Sequence, residues 1–316
     1  MIVYYSENTD AYFNLAAEAF FLHHLKDDVL FIWRSNKAVV CGKHQNVCAE
    51  VNFAHCIVND ISVCRRLSGG GAVYHDLGNI NFTFIKNLNE GLEKAVNYKQ
   101  FLNPVRDILL AMGIKTEYSL RDDLLLNNYK VSGNAQHIFQ KGMRILHHGT
   151  LLYDSDLPSL GNALRSQGNY IGKAIKSVRS EVTNIRNWID FGSVDIFLQK
   201  FLNEIEKHFN IPVIALEEKH VIDIDLIKNQ KFALNSWVLG YSPNYNHTRQ
   251  LEWGNTLLNL DMTIEKGIVQ NIEIHDFNRQ KSFEQECQNL LGMEFNMINV
   301  KNVFNTLSFD HYIQLF

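Results

Sequence analysis

The 316-residue chain is 46% hydrophobic and carries 34 acidic against 30 basic residues, for a net charge of −4. That length buries a substantial core, either as two domains or as one large domain with an appendage. The charges are spread without a basic block that would track a phosphodiester backbone, so nucleic acid is a poor match as a partner. No run of about 18 apolar residues occurs, and the acidic, Asn-containing N-terminus leads into an amphipathic segment rather than an apolar signal core. Membrane spanning and secretion are not expected, and a cytoplasmic location is. The five cysteines form no CxxC pair and read as buried small hydrophobes kept reduced.

In chain order, residues 29–34 (VLFIWR) and 37–41 (KAVVC) are β-rich runs separated by the Ser35-Asn36 turn signal, which reads as a hairpin. INFTFI at 80–85 is a further strand, and residues 97–112 have helical spacing up to Met112, with Gly113 as a stop. Between Ser193 and Phe209, residues Phe197, Phe201, Leu202, Ile205 and Phe209 fall on one helical face. The turn-rich GYSPNYNH at 240–247 marks a boundary, dividing the chain into residues 1–246 and 247–316. Beyond it Leu258, Leu260, Met262 and Ile264 alternate, Glu265-Lys266-Gly267 turn, and Ile272 and Ile274 alternate again before a helix near 282–292. The pattern predicts strands mixed with helices, then a small α+β module.

The most informative stretch is RRLSGGGAVYHDLGN at 65–79. Three consecutive glycines cost folding entropy and pack nothing, so they mark backbone that turns sharply or approaches a ligand closely. Such backbone presents N–H groups to phosphate oxygens, and Arg65-Arg66 offers guanidinium donors suited to phosphate or carboxylate. A glycine hairpin with two surface arginines is the alternative from composition alone. No GK[ST] follows at Walker A spacing and no GxGxxG opens a helix, so a phosphate site here is of another type.

In RDDLLLNNYKVSGNAQ, residues 121–136, an apolar run leads through Asn127-Asn128 to Lys130 and then Ser132-Gly133. A lone lysine is ordinarily solvated; beside a small-residue turn between apolar stretches it also reads as a ligand-facing ammonium. In LHHGTLL, residues 146–152, neighbouring histidines on a strand face opposite sides, so at most one enters a site. A structural histidine is the competing reading, and no HExxH-like spacing supports zinc.

Taken together and in this order, RRLSGGGAVYHDLGNINFTF, KVSGNAQ, HHGTLLYDSDL and SVRSEVTNI closely resemble the lipoate–protein ligase A family. The resemblance extends from FNLAAEAF at 13–20 to the W-x-x-G-x-S-P-x-Y-N pattern at 237–246. It implies an α+β fold: a large mixed-sheet domain with helices, shared with biotin–protein ligases, plus a small α+β C-terminal accessory domain. It implies activation of lipoate by ATP with Mg2+ to lipoyl-AMP, then transfer to a lysine of an acceptor lipoyl domain, on a glycine-cleavage H protein or a 2-oxoacid dehydrogenase E2 subunit. Magnesium is expected on phosphate oxygens and water, with no protein ligand named.

Carried over residue by residue, the resemblance implies that Arg66 contacts the nucleotide, that the backbone of Gly71, Ala72, Val73 and Tyr74 lines the adenylate, and that Lys130 is catalytic, reaching phosphate and lipoyl carbonyl. Ser68, Gly69, Gly70, His75, Asn79, Asp123, Ser132, Gly133, His148, Gly149 and Thr150 complete the expected site. Asp123 or His148 is a candidate to accept the acceptor lysine's proton, or to orient the adenylate. Trp33, Val40 and CGKHQN at 41–46 are candidates for the wall of the lipoyl slot. Two positions depart from the family: Lys43 stands where arginine is frequent, and Glu181 replaces a customary arginine in the segment from Lys176 to Asn184, which resembles the loop that folds over the adenylate. Two rivals remain: an ATP-independent octanoyl or lipoyl transferase, which needs an activated cysteine, and a non-catalytic scaffold that binds a lipoyl domain or the adenylate.

Overall fold

The structure is a computed structural model, and it describes residues 1–88, 97–139, 143–164, 169–178, 180–253, 256–275, 281–305 and 308–316. Its strands are β1 (Ile2–Ser6), β2 (Val29–Trp33), β3 (Ala38–Cys41), β4 (Ser62–Arg65), β5 (Val73–His75), β6 (Asn79–Asn87), β7 (Glu117–Tyr118) and β8 (Leu124–Leu126). They continue as β9 (Tyr129–Ser132), β10 (Asn134–Phe139), β11 (Arg144–Leu152), β12 (Asn169–Gly172), β13 (Val213–Ala215), β14 (Tyr245–Trp253), β15 (Thr256–Glu265) and β16 (Ile268–His275). The fold is α+β. A six-stranded mixed sheet runs β10-β11-β6-β2-β1-β13, a small sheet runs β4-β3-β5, and an antiparallel sheet β7-β8-β9 carries Lys130.

Alternation along the main strands sends side chains to two cores. Leu30, Ile32, Ile80, Phe82 and Phe84 face one layer, where the helix Val194–Phe209 packs with Phe197, Phe201, Leu202 and Ile205 as its stripe suggested. That helix starts at Ser193, whose hydroxyl accepts from the Ile196 N–H, and stops at Asn210 in the left-handed region, φ 52°. Val29, Phe31 and Trp33 face the opposite layer. There α1 (Ala11–His24) is buried along nearly its whole length, as its almost uniformly apolar surface requires. Asp10 caps it by accepting from the Tyr12 N–H at 2.8 Å.

The expected 29–41 hairpin does not form. β2 pairs with β1 and β6 in the main sheet, whereas β3 pairs in parallel with β4 and antiparallel with β5. The connection between them is pinned elsewhere: the Asn36 N–H donates to the Thr9 carbonyl and Asn14 Nδ2 to the Arg34 carbonyl. It therefore carries the chain from one sheet to the other. The helix expected at 97–112 spans Lys99–Ala111.

The C-terminal sheet runs β12-β14-β15-β16. Leu258, Leu260, Met262 and Ile264 all point into its core, as their alternation predicts, and Lys266-Gly267 make the turn with positive φ. β12 comes from the N-terminal region, so this sheet draws on both sides of residue 246.

Candidate active site

The main sheet's α1-facing side is not uniformly apolar. On β6 the sequence alternates Asn79, Asn81, Thr83 with Ile80, Phe82, Phe84, and all three polar residues are buried. Asn81 is opposite both Trp33 and Thr150, and Thr83 is opposite both Phe31 and His148. A band of polar groups thus crosses a buried face, a signal legible in the alternation itself.

Against this face sits the glycine turn that joins β4 to β5. Gly70 has φ +89°, a conformation that glycine alone adopts without strain. Arg66 holds the turn: Nη2 donates to the Gly69 and Gly71 carbonyls at 2.7 and 2.8 Å, Nη1 to the Val40 carbonyl at 2.8 Å, and Nε to Ser68 Oγ at 2.9 Å. Burial pushes this guanidinium down to about 10, still charged at neutral pH. Its fork is spent on protein oxygens, so it shapes the backbone that meets a ligand. Arg65 is fully buried, with its guanidinium among the carbonyls of Gly42, Lys43, Gln45, Trp237 and Val238 and the Ser242 hydroxyl. It is a structural hub and is not part of the lining of either cavity described next.

Between turn and sheet lies a cavity of about 360 Å³ lined by Arg66, Gly70, Gly71, Ala72, Val73, His75, Asp123, Lys130, Gly133, His148, Gly149 and Thr150, together with Trp33, Val40, Leu15 and Asn81. Lys130, on β9, and the glycine turn therefore share one space. Lys130 Nζ is 3.0 Å from Asp123 Oδ1, and the Gly133 N–H donates to Thr150 Oγ1 at 3.1 Å. A second cavity of about 470 Å³ adjoins it, lined by Ala72, Val73, Tyr74, Lys130, Gly133, Thr150, Leu152, Leu160 and Val182. Residues 176–178 and Ser180 border both, and the Ala72 N–H donates to Ser177 Oγ at 2.9 Å.

Of the paired histidines, His147 is buried among aromatic rings, stacked 4.8 Å from Phe101, while His148 faces the cavity. His148 Nδ1 is 3.0 Å from Glu18 Oε1, and its Nε2 is 2.7 Å from Ser68 Oγ. Glu18, 1% exposed, also accepts from Thr83 Oγ1 at 2.6 Å. With Nδ1 donating to Glu18, Nε2 accepts from the Ser68 hydroxyl, and Ser68 Oγ accepts from Arg66 Nε. Both ring nitrogens are thus engaged by protein groups. Glu18 lies within FNLAAEAF but is 130 residues from His148 in sequence, so no local pattern singles it out.

Several expected contact residues lie behind the cavity. Ser68 and Ser132 are fully buried, Ser68 inside the Arg66–His148 chain and Ser132 accepting weakly from Asn134 Nδ2 at 3.4 Å. Asn79 is fully buried and donates to Asn81 Oδ1 at 3.0 Å. Gly69 is outside the lining, offering its carbonyl to Arg66, and Tyr74 lines the second cavity only. Trp33 and Val40 do form wall, but the 41–46 segment does not: Gly42 packs beneath the turn, where an added Cβ would stand 2.1 Å from the Gly70 carbonyl oxygen. Lys43 is outside the lining, 5.9 Å over the Tyr241 ring. Glu181 has an exposed side chain, and only its backbone meets the site, accepting from the Lys130 N–H at 3.0 Å. Arg179, within the expected closing loop, lies outside the described residues.

A family model described as the lipoyl protein ligase A/B catalytic domain matches residues 10–210, and one described as the bacterial lipoate protein ligase C-terminus matches residues 242–316. The chain belongs to the lipoate–protein ligase family. Lipoate-protein ligase LplJ of Bacillus subtilis is 33% identical over 96% of this chain and 93% of that protein. Among solved structures, P. falciparum LipL1 in complex with lipoate aligns with a TM-score of 0.65 at 22% identity, covering 97% of this chain and 94% of that one. A lipoate-protein ligase A bound with ATP aligns at 0.64 and 22% identity, covering 76% and 100%. The fold expected from the sequence motifs is the fold these ligases share, and the chain is a ligase.

Proposed function

We propose that the two adjoining cavities hold the two halves of a lipoyl-adenylate, with its mixed anhydride at their junction. The observation that carries this is that Ala72, Val73, Lys130, Gly133 and Thr150 are among the residues common to both, with residues 176–178 and Ser180 beside them. In the first half-reaction a lipoate carboxylate oxygen attacks the α-phosphorus of ATP and pyrophosphate leaves. In the second, the amine of an acceptor lysine attacks the carbonyl carbon and AMP leaves. Negative charge grows on oxygens at the same place in both steps, and a fixed ammonium with backbone N–H donors stabilises it before it develops. The Ala72 N–H, now donating to Ser177, is the donor that a phosphate oxygen would take over. Asp123, a carboxylate in the lining of the first cavity, is our candidate to accept the acceptor lysine's proton.

Magnesium is assigned to the nucleotide. Among the described residues no three His, Cys, Asp or Glu side chains cluster as a metal site, and Asp123 is already paired with Lys130, so the donor set suits a cation carried on phosphate oxygens and water. The acceptor is a lipoyl domain, of an H protein or an E2 subunit; one solved relative is in complex with lipoate and another is bound with ATP. The transferase alternative lacks its nucleophile. All five cysteines are buried, and burial raises every thiol, with Cys41 and Cys56 pushed up to about 12. Unpaired cysteines also support a cytoplasmic setting, and no helix among the described residues is long and apolar enough to cross a membrane. We keep residues 1–246 as catalytic and 247–316 as accessory. Pyrophosphate release on mixing the protein with MgATP and lipoate tests the reading; a transferase or scaffold releases none.

A further inference from the structure

Among the residues lining the two cavities, Lys130 and Lys176 carry a primary amine, and each lines both. The two amines differ in what holds them. Lys130 Nζ is committed to Asp123 at 3.0 Å. Lys176 is an exposed residue whose side chain, among the described residues, has neither an ion pair nor a hydrogen bond. The ligase reaction as derived above gives Lys130 a role and leaves Lys176 without one.

The segment that carries Lys176 is fastened on either side of it. The Ile175 N–H donates to the His44 carbonyl at 3.3 Å, and the Ser177 N–H donates to Glu50 Oε1 at 3.2 Å. Ser177 Oγ accepts from Gln45 Nε2 at 3.1 Å and from the Ala72 N–H at 2.9 Å. The backbone of Lys176 is thereby fixed at the rim common to both cavities, while its flexible four-carbon stem lets the amine swing into the space between them. Lys173, three residues earlier and also exposed, lines neither cavity. A primary amine held beside a bound electrophile needs no encounter step, so it reacts far faster than the same amine elsewhere on the surface.

We propose that Lys176 is an internal acyl acceptor, which takes the lipoyl group from the bound adenylate when acceptor protein is scarce. The neutral Nζ attacks the lipoyl carbonyl carbon, an amide bond forms, the bond from that carbon to the phosphate oxygen breaks, AMP leaves, and the surplus proton of the amine passes to water. The inference rests on the ligase reading of the two cavities. Its product keeps the acyl chain tethered at their junction, where it obstructs fresh lipoate and nucleotide, so a chain whose adenylate goes unused switches itself off.

The test is to incubate the full chain with MgATP and lipoate without acceptor protein, treat it with hydroxylamine to remove anhydrides and thioesters, and locate the remaining lipoyl amide by peptide mass mapping. The expected label on Lys176 exceeds that on Lys173 about tenfold or more, and it rises between about pH 7 and pH 9 because the neutral amine is the attacking form. Lys176→Arg loses this label, and its own pyrophosphate release reports that it has folded. Transfer to an E2 lipoyl domain added afterwards falls in step with the labelled fraction of wild type. Equal labelling of Lys173 and Lys176, no label while pyrophosphate is released, or a labelled chain that still transfers at the full rate overturns the inference alone, and the wild-type map decides this whether or not Lys176→Arg folds. Absence of pyrophosphate release by wild type overturns the ligase reading and the inference with it.

Discussion

Lys130 Nζ lies 3.0 Å from Asp123 Oδ1, and the Lys130 side chain crosses in front of Gly133, where an added Cβ would stand 3.1 Å from Nζ. The carboxylate fixes the direction of the ammonium, and the missing Cβ gives it room. Both partners are mostly shielded from solvent, so the pair is worth more than an exposed one. Asp123→Asn is expected to lower the rate of lipoyl-adenylate formation about tenfold, equivalent to about 1.4 kcal/mol. Single-turnover measurement of the adenylate checks this, and an unchanged rate would leave Lys130 positioned without Asp123.

Glu18 acts through His148 and Ser68 on the arginine that holds the glycine turn. Losing a hydrogen bond to a charged group costs about 1.5–3 kcal/mol, and only part of that reaches the reacting atoms. Glu18→Ala is expected to slow adenylate formation about tenfold. His148→Ala is expected to lower the rate while leaving the shape of the pH–rate profile as in wild type. Loss of a titrating limb in His148→Ala would restore that histidine to the role of base.

Gly42 supports the turn from below. A Cβ there meets the Gly70 carbonyl oxygen at 2.1 Å, and backbone cannot rotate away as a side chain can. Gly42→Ala is expected to cost about 1–3 kcal/mol of stability, read by urea unfolding, and to raise KM for ATP. Wild-type stability together with wild-type KM would show that the turn adapts freely.

Acid should unfold the chain through its buried histidines. Burial pushes both His75 and His247 down to about 3. Below the ordinary histidine value near 6.5 the unfolded chain binds these two protons and the native one does not, so stability rises with pH across that window. It is fully present above about pH 6.5 and falls by roughly 1.4 kcal/mol per pH unit for each histidine down to about pH 3. Urea titrations at neutral and mildly acidic pH read the slope, which His75→Phe should reduce by about half of the two-histidine contribution.

What the sequence disclosed follows from range. The glycine turn, Lys130 and His148 are marked by residue types unusual for their surroundings, and the helix Val194–Phe209 and strand β15 by periodicity, so local reading found them. Pairing partners are set by distant chain. β2 and β3 look like a hairpin because strand propensity and the Ser35-Asn36 turn say nothing about Thr9, which holds the connection. Glu18 escaped notice because its meaning comes from Thr83 and His148, 65 and 130 residues away. Ser68, Asn79 and Ser132 carry the family motifs yet lie one layer behind the cavity, since a motif records which residues a site needs and not which of them touch the ligand.

The most direct test of the account is pyrophosphate release by wild type and Lys130→Ala with MgATP and lipoate. Removing one preorganised donor to developing charge costs on the order of 3 kcal/mol, so wild type should release pyrophosphate and Lys130→Ala should do so roughly 100-fold more slowly. Release by Lys130→Ala at the wild-type rate would contradict the placement of the anhydride at the junction of the two cavities.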